Sequence, residues 1–117
     1  MRGKRERDRF AWAWAGMKAA VKEEAHLRFH LSAAVVAFAA GWVVGLSRWE
    51  WIVLLMAVGT VIVLELVNTA IERAVDLATG EFHPLAKAAK DIAAAAVLAA
   101  AGFAVVIGLL LFWPHLR

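Results

Sequence analysis

Apolar residues in this chain fall in long uninterrupted blocks. From Leu31 to Leu46 only Ser32 breaks the apolar run, from Trp51 to Leu64 only Thr60 does, and from Ile92 to Trp113 no charged residue occurs. A helix needs roughly 20 residues to cross a hydrocarbon core of about 30 Å. The third block therefore spans unaided, whereas the first borrows its flanks from Arg28 and Trp49. The second must run past Glu65 into Leu66 and Val67, which carries a carboxylate to the membrane edge. Ahead of these blocks, Phe10, Trp14, Met17 and Val21 recur at three- and four-residue spacing, with Arg7, Lys18 and Lys22 elsewhere on the circumference. That pattern predicts an amphipathic helix lying in the interface over residues 5–28. Thr79-Gly80 and His83-Pro84 predict a short loop after the second span. The expected fold is an all-α integral membrane protein, one domain over 1–117, with the surface helix followed by helices over 29–48, 49–78 and 91–113 that contain the three spans.

Composition strengthens the membrane reading. The chain is 63% hydrophobic and 20% charged, with a mean hydropathy of +0.70. Soluble domains are about 45–50% apolar, so a soluble monomer is excluded. The absence of cysteine removes disulfide frameworks, thiolate nucleophiles and Cys-zinc sites. The formal charge of +3 is concentrated: eight of the 13 Lys and Arg precede residue 29, which suits an anionic membrane surface and argues against nucleic acid. No cleavable signal peptide is expected, because the first apolar run begins too late. Counted by side, eleven cations flank one face of the spans and two the other. The positive-inside bias puts the N-terminus and residues 68–91 in the cytoplasm and the C-terminus outside. Trp42, Trp49, Trp51 and Trp113 then form an outer aromatic belt. Gly41-x-x-x-Gly45 reads either as a dimer face or as incidental.

The chemistry concentrates in Glu65-Leu-Val-Asn68-Thr-Ala-Ile-Glu72-Arg-Ala-Val-Asp76. On a helix, Glu65, Asn68, Glu72 and Asp76 share an arc of about 80° over roughly 16 Å. Like charges on one stripe repel, so a cation is expected to offset them, and hard oxygen donors suit Mg²⁺, which keeps waters and substrate phosphates in its shell. Glu72 and Asp76 also admit a plainer reading as a solvated face paired to Arg73 or Lys90. Glu65 does not, because an ionisable group at membrane depth is costly and by default functional. Lys87, Lys90 and Asp91 follow the loop; a lysine there either holds phosphate or snorkels at the interface. Glu23-x-x-His26 and His26-x-x-x-His30 have metal-ligand spacing but no second histidine-rich element, so His26 and His30 read as interfacial hydrogen-bonders. Glu24 and Arg28 form an i,i+4 pair by spacing. No glycine-rich phosphate loop occurs, so any nucleotide site must be built from charged side chains and a metal.

These residues resemble the prokaryotic diacylglycerol kinase family, whose Gram-positive branch includes undecaprenol kinases. The resemblance covers about residues 5–113 and rests on Glu24-Ala-His-Leu-Arg28, on the Glu65–Asp76 motif, and on His83-Pro-Leu-Ala-Lys-Ala-Ala-Lys90-Asp91 followed by Ala93–Val97. It implies a homotrimer in the bacterial cytoplasmic membrane, with active sites at the cytoplasmic interface between subunits. The activity implied is transfer of the γ-phosphoryl group of ATP, with Mg²⁺, to the hydroxyl of a lipid alcohol. Carried over by position, Glu65 is the base with Asn68 beside it, Glu24 and Glu72 are the Mg²⁺ ligands, and Asp76 supports them. Lys90 grips the phosphates, Asp91 and Glu81, Phe82 and His83 contact adenosine, and Arg5 and Trp12 lie where the surface helix closes over nucleotide and lipid. Arg28-Phe29-His30 and His83-Pro84-Leu85 look like the undecaprenol branch, whereas Ala25, His26 and Ala95 depart from its usual Arg, Asn and Gly. Undecaprenol is the preferred acceptor, diacylglycerol the alternative; a non-enzymatic membrane scaffold is the competing class.

Overall fold

A computed structural model describes residues 2–117. Among them every regular element is helical: α1 (Arg2–Glu23), α2 (Ala25–Val44), α3 (Arg48–Ala78) and α4 (Pro84–Phe112), followed by a 3₁₀ turn over Trp113–Leu116. The three long apolar helices expected from the sequence are present; those containing 25–44, 48–78 and 84–116 are each long and apolar enough to cross a membrane.

The helix boundaries have local causes, and they differ in places from the sequence expectation. The surface helix expected over 5–28 stops at Glu23, and the first spanning helix starts at Ala25 in place of residue 29. Glu24 breaks the run with an extended backbone (φ −108°, ψ 108°). Arg28 then reaches back: its Nη1 donates to the carbonyls of Val21 (2.9 Å) and Lys22 (2.8 Å). A cation is thus placed on the last turn of α1, where carbonyls lack helical partners. The i,i+4 pairing of Arg28 with Glu24 that the spacing suggested is not what Arg28 does. Helix α2 ends at Gly45, whose positive φ of 74° closes a left-handed cap with its N–H donating to the Gly41 carbonyl. Ser47 opens α3 with a capping box: its hydroxyl accepts from the Glu50 N–H at 3.3 Å and its N–H donates to Glu50 Oε1 at 3.0 Å. Helix α4 begins at Pro84, seven residues before the expected 91, because the proline takes the first turn and the His83 ring accepts the Leu85 N–H.

The two glycines of Gly41-x-x-x-Gly45 serve the fold of one subunit. A Cβ on Gly41 would stand 2.8 Å from Leu46 Cδ1 and 3.0 Å from Trp51 Cη2, so this glycine lets α2 meet the start of α3. Gly45 is the cap.

The buried seam is thin. Ala20, Leu27, Ala34, Leu46, Leu54, Val61, Ala93 and Val97 are its apolar members, and among the described residues only Leu27 of the large side chains is fully enclosed. The molecule is a slab of 53 × 44 × 21 Å, about two helix diameters thick. Trp42, Val43, Leu98, Phe103 and Leu110 all point outward. An apolar surface of this extent marks a bilayer or partner interface. At the end far from the carboxylate stripe, His115 Nε2 lies 2.7 Å from Glu50 Oε2 and ties the 3₁₀ turn to the first turn of α3.

Candidate active site

Helix α3 runs 31 residues, about 46 Å at the helical rise, so its last third extends beyond a ~30 Å hydrocarbon core. Asn68, Glu72 and Asp76 lie on this part and Glu65 just before it, and the burial of the three carboxylates falls along the axis. Glu65 is 7% exposed, Glu72 is half-buried, and Asp76 is exposed.

Each carboxylate has its own partner. Glu65 Oε1 is 3.6 Å from His30 Nε2 on α2. Glu72 Oε1 accepts from Asn68 Nδ2 at 3.2 Å, while Asn68 Oδ1 is buried with no hydrogen-bond partner. Asp76 pairs with Lys90 across the α3–α4 junction at 2.5 Å. Of the three, Asp76 alone faces a lysine; Glu72 has an amide donor and Glu65 an imidazole. Among the described residues no group of three or more His, Cys, Asp and Glu side chains is placed to hold a metal ion on its own.

Glu24, at the α1–α2 break, is brought to the same region. Arg73 on α3 pairs with Glu23 and stands 3.8 Å from Glu24 Oε1. The plainer reading of Arg73 as a partner for Glu72 or Asp76 is replaced by this contact across helices.

Beyond the stripe, the turn between α3 and α4 forms a polar cleft of about 430 Å³. Its walls include Asp76, Glu81, Phe82, His83, Lys90 and Asp91, all of them residues picked out from the sequence. Thr79 shapes the turn: its hydroxyl donates to the Glu81 carbonyl at 3.1 Å and accepts the Glu81 N–H at 3.2 Å. Lys87 also lines the cleft and pairs with Asp91 at 2.5 Å, so both lysines in the cleft are held by aspartates. The cleft carries charges of both signs and an aromatic ring, a lining suited to a nucleotide's base and phosphates.

Arg5 and Trp12 are not brought to this cleft within one chain. Both stand on the exposed N-terminal part of α1, with Arg5 beside Arg2, Glu6 and Arg9. Sequence reasoning missed the cross-helix contacts of His30 with Glu65 and of Arg73 with Glu23 and Glu24. Pairings between separate helices leave no spacing signal, although an arginine inside a carboxylate stripe does call for a partner.

Comparison with known proteins identifies the family. The model of the prokaryotic diacylglycerol kinase family matches residues 11–112, and the chain belongs to that family. It is 45% identical over 107 residues to the undecaprenol kinase of Bacillus subtilis, covering 92% of this chain and 87% of that protein. It is 42% identical over 108 residues to a diacylglycerol kinase of Synechocystis, covering 92% of this chain and 62% of the relative. Against the diacylglycerol kinase of Escherichia coli it is 34% identical over 104 residues, covering 89% and 85%.

Proposed function

We propose that this protein is an ATP-dependent lipid kinase of the bacterial cytoplasmic membrane that phosphorylates the hydroxyl of undecaprenol. The observation that carries the reading is Glu65: a carboxylate 7% exposed on a helix long enough and apolar enough to span, which the reading sets at the level of a lipid hydroxyl. A carboxylate is kept in such a place at a cost, and chemistry on a group that cannot leave the headgroup layer explains the cost. The family match and the relative named as an undecaprenol kinase support both activity and acceptor.

In this reading the adenosine end of ATP occupies the cleft lined by Glu81, Phe82, His83 and Asp91, and Lys90 leaves Asp76 to grip the phosphates. Glu24 and Glu72 fit Mg²⁺ as hard oxygen donors. Asn68 Oδ1, buried without a partner on the side chain that donates to Glu72, adds an oxygen in want of a cation or donor. Bound there, the ion would neutralise phosphate charge and its remaining positions would go to water and phosphate oxygens. Glu65 takes the proton of the lipid hydroxyl as the lipid oxygen bonds to the γ-phosphorus and the bond from that phosphorus to the ADP oxygen breaks. The products are ADP and the lipid phosphate. Holding acceptor and donor in line supplies most of the acceleration, as expected for phosphoryl transfer.

The N-terminal part of α1 lies in the cytoplasmic interface, with Phe10 and Trp14 among lipid chains and its arginines near phosphates. Three copies assemble, and Arg5 and Trp12 of one subunit close over the site of another. The N-terminus is cytoplasmic and the C-terminus outside. Purified protein given γ-labelled ATP with undecaprenol or diacylglycerol in one micelle system tests the function. Faster labelling of undecaprenol is expected. Preference for diacylglycerol moves the acceptor to the alternative, and labelling of neither returns the chain to the scaffold class.

A further inference from the structure

We propose that His30 is a positioning residue that holds the Glu65 carboxylate toward the incoming lipid hydroxyl. The proposal rests on the reading of Glu65 as the base. Two observations carry it. First, His30 Nε2 stands 3.6 Å from Glu65 Oε1, with the two side chains only 19% and 8% exposed. Among the described residues this is the Glu65 carboxylate's one side-chain contact of ion-pair range; the Thr69 hydroxyl bonds the Glu65 main-chain carbonyl at 3.0 Å and leaves the carboxylate alone. Second, the same imidazole lines an apolar groove between α2, α3 and α4, whose walls include Ala33, Ala57, Val61 and Ala104. Among the described residues on those walls His30 is the one ionisable residue, and Glu65 is not among them.

The physical need is plain. A glutamate has three side-chain torsions, and a base is effective only when its oxygen meets the hydroxyl in a narrow range of distance and angle. No backbone donor fixes Glu65 within its helix. A ring supplied from α2 does so across the helix–helix contact, and Phe29 meets that ring edge-on at a centroid distance of 5.5 Å. At 3.6 Å the contact is longer than a hydrogen bond; catalytic contacts of this kind tighten when substrate is bound.

A double-mutant cycle read by single-turnover phosphorylation tests the proposal in full-length protein reconstituted in micelles. His30→Leu should lower the single-turnover rate by roughly 10- to 100-fold, the scale of a misplaced reacting group, while half-saturation by ATP and by lipid stays within two-fold or so of the parent. His30→Gln, whose amide reaches the carboxylate, should recover the rate to within a few-fold; His30→Asn, which falls short, should not. In a Glu65→Gln background His30→Leu should add no further loss, since residues acting through one group are not additive. A loss that adds in full in that background, or one confined to KM, overturns the role and leaves His30 a packing residue. Parent-like turnover in His30→Leu together with slow Glu65→Gln overturns this proposal alone. Parent-like turnover in folded Glu65→Gln overturns the base and the proposal with it.

Discussion

At the scale of the residue, the carboxylates of α3 differ in what surrounds them, and their replacements should differ accordingly. Glu65 is buried beside a single imidazole, so Glu65→Gln keeps shape and removes basicity. Its kcat is expected to fall about 10²- to 10⁴-fold, the range for one acid–base group, with ATP binding retained in equilibrium measurements. Glu24→Gln and Glu72→Gln remove hard oxygens from the expected ion; each should lose most turnover while remaining assembled, and raising Mg²⁺ should recover part of it. Near-parental activity of both at low Mg²⁺ would return them to a solvated face. The stripe itself was readable from the sequence, because four residues on one helix obey one angular rule. The unequal burial of Glu65 and Asp76 followed from where the apolar run ends. His30 and Arg73 were not readable as partners of Glu65 and of Glu23 and Glu24, since each contact joins two helices and depends on how those helices pack.

At the scale of the element, the spans were legible and their ends were not. Twenty or more apolar residues dictate a helix wherever they sit in lipid, but a boundary turns on one or two side chains. Arg28 closing α1 and the His83 ring opening α4 are such cases. Gly41 illustrates the same limit. Its spacing to Gly45 left a dimer face and an incidental pair equally open, whereas the neighbours it makes room for are Leu46 and Trp51 of its own chain. Gly41→Val should therefore lower stability in detergent by about 1–3 kcal/mol through overpacking. Thermal denaturation followed by circular dichroism reads this, with Gly59→Ala as the comparison because nothing lies within 4 Å of a Cβ there. Loss of oligomer at unchanged subunit stability would instead restore the dimer-face reading.

At the scale of the whole molecule, a slab 21 Å thick in which, among the described residues, one large side chain is fully enclosed depends for stability on what surrounds it. Its direction is checked by labelling: with the expected orientation, a cysteine at position 80 stays protected from an impermeant reagent in intact cells and one at 115 reacts. The proposed sharing of the site between subunits can be tested as well. Arg5 and Trp12 stand on exposed α1, away from the cleft that holds Asp76, Lys90 and Asp91. If a second subunit supplies them, two defective chains should repair one another. Subunits carrying Glu65→Gln keep a sound α1, and subunits carrying Arg5→Ala with Trp12→Ala keep a sound base; under the proposed trimer each variant assembled alone is expected to retain little activity. In a cyclic trimer every mixed assembly contains one site built from a sound base and a sound neighbouring α1. Three quarters of randomly mixed trimers are mixed, so equal amounts of the two chains should regain about a quarter of parental activity. Sites built within single subunits contain a defect in every chain and regain none. Dissociation, mixing and reassembly in detergent, followed by a lipid phosphorylation assay, distinguishes the two, and activity no higher than in the separate variants would place Arg5 and Trp12 outside any shared site.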